Sequence, residues 1–400
     1  MTAAPSGVDI AGLPVFPAPR DLRFPLDPAP AYADWRGQEG LRKAAWNGFP
    51  VWVVSRYEDI TTAMTHPAVS ADTRGWLQGE ADAPIFPRMD DPEHARLRRM
   101  LTKDFTVRRV DAMRPDIERM ANDFIDQMIG SGQPADLVRA YALPIPSLVI
   151  SLLLGVPYDD AEFFQQKTSV MLSRTAGDAE QQDARKQLFG YLYQLVGRKT
   201  KEPQDDLISR LITEHLATGD LTAEAVVMNS YILLNAGHET TANMIALGTL
   251  ALLRHPREAA RLRDTDDPAV IAKFVEELLR YLTIVHSLVV RVAKEDVVIG
   301  GQLVRAGEGL AMNLPAGNRD AAWTTEPDRF DTDRDVRGHL AFGHGVHQCL
   351  GQVLARAELR IALPTLLRRL PGLRLAVPVE ELRFREDMSI YGVHELPVAW

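Results

Sequence analysis

The chain has 400 residues, 46% hydrophobic and 25% charged, enough apolar side chain for a large buried core and no tract polar enough to predict long disorder. A formal charge of −9 argues against the basic surface that nucleic-acid binding requires. The single cysteine excludes an internal disulfide, and no Cys/His cluster has zinc-site spacing, so a reducing compartment is expected.

Residues 1–20 lack the charged start and unbroken apolar core of a signal peptide, and Pro14, Pro17 and Pro19 would break a spanning helix. The longest apolar run, residues 148–156, is interrupted by Ser151 and Gly155 and is too short to cross a bilayer. The expectation is a cytoplasmic protein with no membrane segment. After a Pro-rich arm to about Pro30, residues 51–54 read as a strand. Apolar residues then recur at three- and four-residue spacing over 113–129, 145–154, 207–216 and 222–254, which predicts helices. The last of these, with Thr222 as N-cap and Pro256 just past its end, would be roughly 50 Å long and must cross the middle of the protein. Another helix begins at Asp267-Pro268 and runs through IAKFVEELLRYL. VVIGGQLV reads as a hairpin turning at Gly300-Gly301, AGEG at 306–309 as a further turn, and short strands fit 373–376 and the C-terminal end. The fold class is mainly α with a minor β region.

Around Cys349 the chain reads AFGHGVHQCLGQVLARAELRIAL, a glycine-rich loop opening into an amphipathic helix near Leu350. A helix dipole and nearby amides favour a thiolate there, ready to bind a metal or attack an electrophile. Gly343, Gly345 and Gly351 would let a flat ligand approach the backbone. By residue type alone, a lone cysteine is more often a buried, inert thiol. In YILLNAGHETTANMIALGTLALL an apolar helix is interrupted by Gly237, His238, Glu239, Thr240, Thr241 and Asn243. Thr240 can bond the Ala236 carbonyl and, with Gly237, loosen the ladder into a small groove; a solvated stripe is the plainer alternative. Glu277 and Arg280 share a helix face, which by itself describes an ordinary surface ion pair.

Phe342, Gly345, His347, Cys349 and Gly351 reproduce the spacing F-x-x-G-x-H-x-C-x-G, which resembles the haem-binding loop of the cytochrome P-450 superfamily. The resemblance extends from DDPEH to the terminal YGVHELPVAW and decides among the alternatives. It implies one cytochrome P-450 domain over 1–400, with a long central helix over haem b. Cys349 would be the axial iron ligand, with Phe342 beside the sulfur and Gly343 and Gly351 in the cofactor-binding loop. Ala236 to Thr240 looks like the family's distal A-G-x-E-T motif, so Ala236 and Gly237 would lie over the haem. Thr240 and Glu239 would then govern proton delivery to dioxygen, Glu239 relaying protons from solvent. Glu277 and Arg280 match its E-x-x-R motif, and Arg329 in EPDRF matches the arginine completing that structural triad. Haem carboxylates need cationic or donor partners, and the resemblance nominates His94, Arg98, Arg291 and His347.

By the same resemblance, the loop 76–89 with Ile85, together with Leu233, Val289, Val290, Ile390 and Tyr391, should line an apolar pocket for a hydrophobic small molecule. The implied activity is a monooxygenase of the soluble bacterial kind, a monomer. It would insert one oxygen atom of O2 into a C–H bond of a bulky secondary metabolite, steroid-like or drug-like compound. Electrons would come from a ferredoxin and an NAD(P)H-dependent ferredoxin reductase, docked by a basic patch of Arg356 and Arg360 with Arg98 or Arg99. The competing readings are a peroxide-driven peroxygenase, whose members usually replace the acid–alcohol pair, and a non-catalytic haem or small-ligand binding protein.

Overall fold

The long helix forms where its cap and apolar content place it. In the computed structural model, which describes residues 10–74, 76, 86–172, 176–386 and 388–400, the Thr222 hydroxyl accepts from the Ala225 amide at 3.1 Å and the helix runs unbroken over Ala223–Arg254. The helix expected over 113–129 spans Val107–Ser131, capped by Thr106 on the Arg109 amide. Its first turns carry two arginines and an aspartate, so apolar periodicity alone starts it late. Residues 207–216 form a short helix, Leu207–Leu211, that widens into a π-type turn over Ile212–Leu216. Asp267 Oδ1 accepts from the Ala269 amide at 2.8 Å and opens the helix Pro268–Leu282. The cysteine-loop helix spans Gln352–Arg369, two residues later than expected.

The chain divides into two compact units. The first, residues 1–82, 87–95 and 272–349, is built on a five-stranded sheet. Its strands are β1 (Arg42–Trp46), β2 (Phe49–Val54), β3 (Val69–Ser70), β4 (Val290–Ala293) and β5 (Gly309–Met312), in the order β1-β2-β5-β4-β3. β2 and β5 run parallel, with Val51 opposite Gly309, and the other pairs are antiparallel. Alternation along β2 sends Val51 and Val53 into a cluster with Phe16, Trp35, Trp46 and Trp76. Val54 enters a second cluster with Ile60, Met64, Met312 and Leu340. The Gly300-Gly301 hairpin pairs Val297–Ile299 with Gln302–Val304.

The second unit, residues 83–86, 96–271 and 350–400, is helical. Its central helix packs against Pro144–Leu154, Asp178–Lys201 and Gln352–Arg369, which is why the buried side chains of Ala223–Arg254 lie on nearly every face rather than along one stripe. The chain end returns as Pro397–Ala399 between Ala135–Asp136 and Arg374–Leu375. Among the described residues no helix is long and apolar enough to cross a membrane.

Candidate active site

In the first unit the cysteine loop is held by its own backbone. Two 3₁₀ turns, Leu340–Phe342 and Gly345–His347, are joined so that the Cys349 amide donates to Phe342 O at 2.8 Å. Gly343 and Gly345 have φ of +73° and +72°, a backbone region that side chains resist. At Gly345 a Cβ would also meet Thr65 Cγ2 at 3.0 Å and Met64 O at 3.3 Å; the end of the helix Tyr57–Thr65 backs the loop there. Gly351 has an ordinary φ of −81° and serves as N-cap of Gln352–Arg369. Cys349 is exposed, two residues before that cap.

A buried polar chain anchors the loop. Glu277 and Arg280 are both fully buried and bidentate, at 2.6 and 2.8 Å. Arg280 also donates to the carbonyls of Asn318 (3.0 Å), Pro327 (2.7 Å) and Arg329 (3.1 Å). Asn318 Oδ1 accepts from the Leu340 amide at 2.7 Å, where the cysteine loop begins. Here the expectation for Arg329 is corrected. Its side chain is 62% exposed and points to Glu326 and Asp331, and only its backbone carbonyl reaches Arg280. The second arginine beside Glu277 is Arg334, 8% exposed, with Nε 3.7 Å from Oε1.

His94 and Arg291 lie in the same unit. His94 is buried, its Nδ1 3.0 Å from Asp91 Oδ1, and its ring lies 4.0 Å from that of His347. Arg291 is 8% exposed and its Nη1 donates to Val290 O at 2.9 Å. Burial pushes its guanidinium down to about 10, with Asp90 partly opposing the shift, so it is still a cation at neutral pH.

In the second unit, Ala236 is exposed and Thr240 half-buried, one turn apart on a helix whose neighbours are covered. The Thr240 hydroxyl donates to Ala236 O at 2.7 Å. The helix runs unbroken over Ala223–Arg254 through this bond. At Gly237 a Cβ would meet Ile150 Cδ1 and Cγ1 at 2.8 Å, so the glycine admits the helix Pro144–Leu154. Glu239 is buried rather than facing solvent. Its Oε2 accepts from Arg385 Nη1 at 2.8 Å and from Asn243 Nδ2 at 3.3 Å, and Oε1 is 3.8 Å from His238 Nε2. Burial pushes the His238 imidazole down, Glu239 partly opposing, which keeps it neutral at pH 7. Arg98, half-buried, stands one turn after His94 on the helix Glu93–Thr102.

Of the residues nominated for a substrate pocket, Val290 and Trp76 are built into the first unit's sheet core, and Val289 packs half-buried against the other cluster. Leu233, Ile390 and Tyr391 are buried in the second unit, Tyr391 stacked on Phe384 at 5.9 Å. Ile85 lies outside the described residues. Sequence reasoning missed Arg334, Arg385 and Asn318, whose partners are remote in the chain.

The described residues form a mainly helical chain with one long buried helix and a glycine-bent loop that presents Cys349 ahead of another helix. The family model described as Cytochrome P450 matches residues 44–371, and the chain belongs to that family. Cytochrome P450-SU2 of Streptomyces griseolus is 50% identical over 394 residues, 96% of either chain. Pentalenic acid synthase of Streptomyces avermitilis is 46% identical, again over 96% of each. The structure of the mycinamicin VIII C21 methyl hydroxylase from Micromonospora griseorubida bound to mycinamicin VIII superposes with a TM-score of 0.90 at 41% identity, covering 97% of this chain and 100% of that one. The protein is a monooxygenase of this family.

Proposed function

We propose that the protein holds haem b through Cys349 and hydroxylates a bulky hydrophobic small molecule of secondary-metabolite type, taking electrons from a ferredoxin and its NAD(P)H-dependent reductase. The observation that carries the haem assignment is Arg291. A cation 8% exposed, whose hydrogen bond among the described residues is to a neighbouring carbonyl, suits an anionic carboxylate, because a buried charge is costly until paired. His94 and His347 supply adjacent ring nitrogens for the same purpose. Cys349 would give the iron its thiolate, Phe342 O ordering the amide on that residue.

When bound, haem supplies the reductive activation of O2, in which two electrons and two protons accompany insertion of one oxygen atom into a C–H bond and release of the other as water. The chain's part is to order the protons and exclude others. With its hydrogen committed to Ala236 O, Thr240 Oγ1 keeps lone pairs that can accept a hydrogen bond from a water. Glu239, one residue back and buried, is the nearest carboxylate in the helix to hand protons on. The hydroxylase and synthase names of the relatives support the substrate class.

The test starts with the purified full chain loaded with haem. Reduction under carbon monoxide should give the red-shifted Soret band of thiolate ligation, lost in Cys349→His, and haem transfer to apomyoglobin should be about tenfold or more faster from Arg291→Met, as befits loss of a charge-assisted hydrogen bond. Product must then form with O2, ferredoxin and reductase. A spectrum without the thiolate band overturns the cofactor assignment; turnover with peroxide but none with O2, ferredoxin and reductase replaces the electron-donor reading with a peroxygenase, and tight binding without product for bulky hydrophobic compounds overturns the substrate class.

A further inference from the structure

The terminal turn of the second unit carries a cation whose one charged partner among the described residues is the acid of the central helix. Phe384 bridges Val393 in antiparallel fashion, and between them the Arg385 amide donates to Gly392 O at 2.8 Å while Arg385 Nε donates to Val393 O at 3.0 Å. A second nitrogen of the guanidinium, Nη1, reaches Glu239 Oε2 at 2.8 Å, with the two side chains 11% and 3% exposed. One helical turn on, Asn243 Nδ2 donates to Glu239 O at 2.8 Å and to Oε2 at 3.3 Å. Gly392 lies so close that a Cβ there would fall 1.7 Å from Asn243 Oδ1. One turn of the helix is therefore bonded to the terminal turn and the next lies closely against Gly392, while Ile390 and Tyr391, 3% and 1% exposed, sit beside that glycine in sequence.

We propose that Arg385 is a positioning residue for Glu239: it fixes the direction of the carboxylate and ties it to the terminal turn, so that whatever Ile390 and Tyr391 pack against is felt at the acid. The guanidinium suits this because its planar fork spends one edge on the turn and the other on the helix. A lysine in its place reaches Glu239 or Val393 as a point charge but not both in one fixed plane. Asn243 and Gly392 keep the pair in register, since any side chain at 392 would push the turn off the helix. This rests on the role proposed above for Glu239.

Haem-loaded full-length Arg385→Met, Arg385→Lys, Glu239→Gln and the Arg385→Met/Glu239→Gln double variant are compared by hydrogen exchange of amides 388–393 and by the share of electrons ending in product rather than peroxide. Arg385→Met should speed exchange about tenfold or more and cut the product share at least about threefold, with the carbon-monoxide spectrum unchanged. Arg385→Lys should recover part of both. In the double variant the exchange effect should not exceed that of the worse single change, because both break one interaction. Wild-type exchange and product share in Arg385→Met, or strictly additive effects in the double variant, overturn the proposal. If Arg385→Met does not fold, the lysine variant decides it, with wild-type behaviour in both measurements counting against. Loss of the thiolate spectrum in the wild-type protein would instead strike the underlying functional reading.

Discussion

At the residue scale, arginines close together in sequence have opposite standing, and composition does not tell them apart. Arg329 occupies the position that the local motif favours, yet its side chain sits in solvent, where ion pairs with Glu326 and Asp331 are screened. Arg334 is buried against Glu277 and donates to the carbonyls of Glu326 (2.9 Å) and Arg329 (3.3 Å). Together with Arg280 it compensates a carboxylate that is fully buried. Removing either cation leaves that charge short of a partner, at a cost of about 3–5 kcal/mol, whereas loss of an exposed pair costs roughly 0–1 kcal/mol. Urea unfolding of the haem-loaded protein should therefore show Arg280→Met and Arg334→Met strongly destabilised and Arg329→Met near wild type. A larger loss from Arg329→Met than from Arg334→Met would restore the assignment made from the motif. The E-x-x-R pair itself was legible, being three residues apart on one helix; its third member was not, because a loop of irregular backbone decides which of two arginines turns inward.

At the scale of elements, the sequence announces helices whose ends are capped and whose apolar period is strong, such as Ala223–Arg254, but not what a gap in that pattern is for. Gly237 reads as a weakness in the helix and is a contact instead. Glycine-to-alanine in an exposed helix would gain about 1 kcal/mol. Here the added methyl meets Ile150 at 2.8 Å, with the Ile150 Cβ itself only 3.2 Å away, so relief requires the helices to part, and overpacking costs about 1–3 kcal/mol. Gly237→Ala should lower the urea midpoint, and Ile150→Ala in that background should recover part of the loss; a stabilised Gly237→Ala would mean that the two helices separate freely. On the helix Gln352–Arg369, Glu358 is 2% exposed, and its Oε2 has no hydrogen-bond partner among the described residues. Burial raises its carboxyl well above the ordinary 4.5. The folded state then binds a proton that the unfolded chain has released, so this group's contribution to stability is full below pH 4.5 and is lost as pH rises toward the folded value. Glu358→Gln should flatten that part of the pH–stability profile and raise the thermal midpoint above neutrality by roughly 2 °C or more. An unchanged profile would place a counter-charge or water on Glu358.

At the scale of the whole molecule, what could be read from the sequence was whatever lies within a few residues: the glycine-bent cysteine loop, the Glu277–Arg280 pair, the caps. What could not be read joins distant segments, as Arg385 joins Glu239 across 146 residues, and no local pattern carries that information. Charge poses the same division between local and global. The chain as a whole is acidic, at −9, and by itself would repel an acidic ferredoxin, an interaction that added salt relieves. A local basic patch works in the opposite sense, attracting the partner and weakening with salt, and it dominates only within about one Debye length, roughly 10 Å at 0.1 M. On the helix Gln352–Arg369 the terminal cations are already committed, Arg368 to Asp266 at 3.0 Å and Arg369 to Asp126. Arg356 and Arg360, one turn apart near its start, are half-buried, and Arg356 also bonds Gln352 Oε1 at 2.8 Å. If these two form the docking charge, the second-order rate of haem reduction by ferredoxin, followed by stopped flow under carbon monoxide, should fall with ionic strength. Arg356→Gln/Arg360→Gln should lower the rate at low salt about threefold or more and flatten its slope. A wild-type rate that climbs with salt would show the net charge in command and move the docking site off this helix.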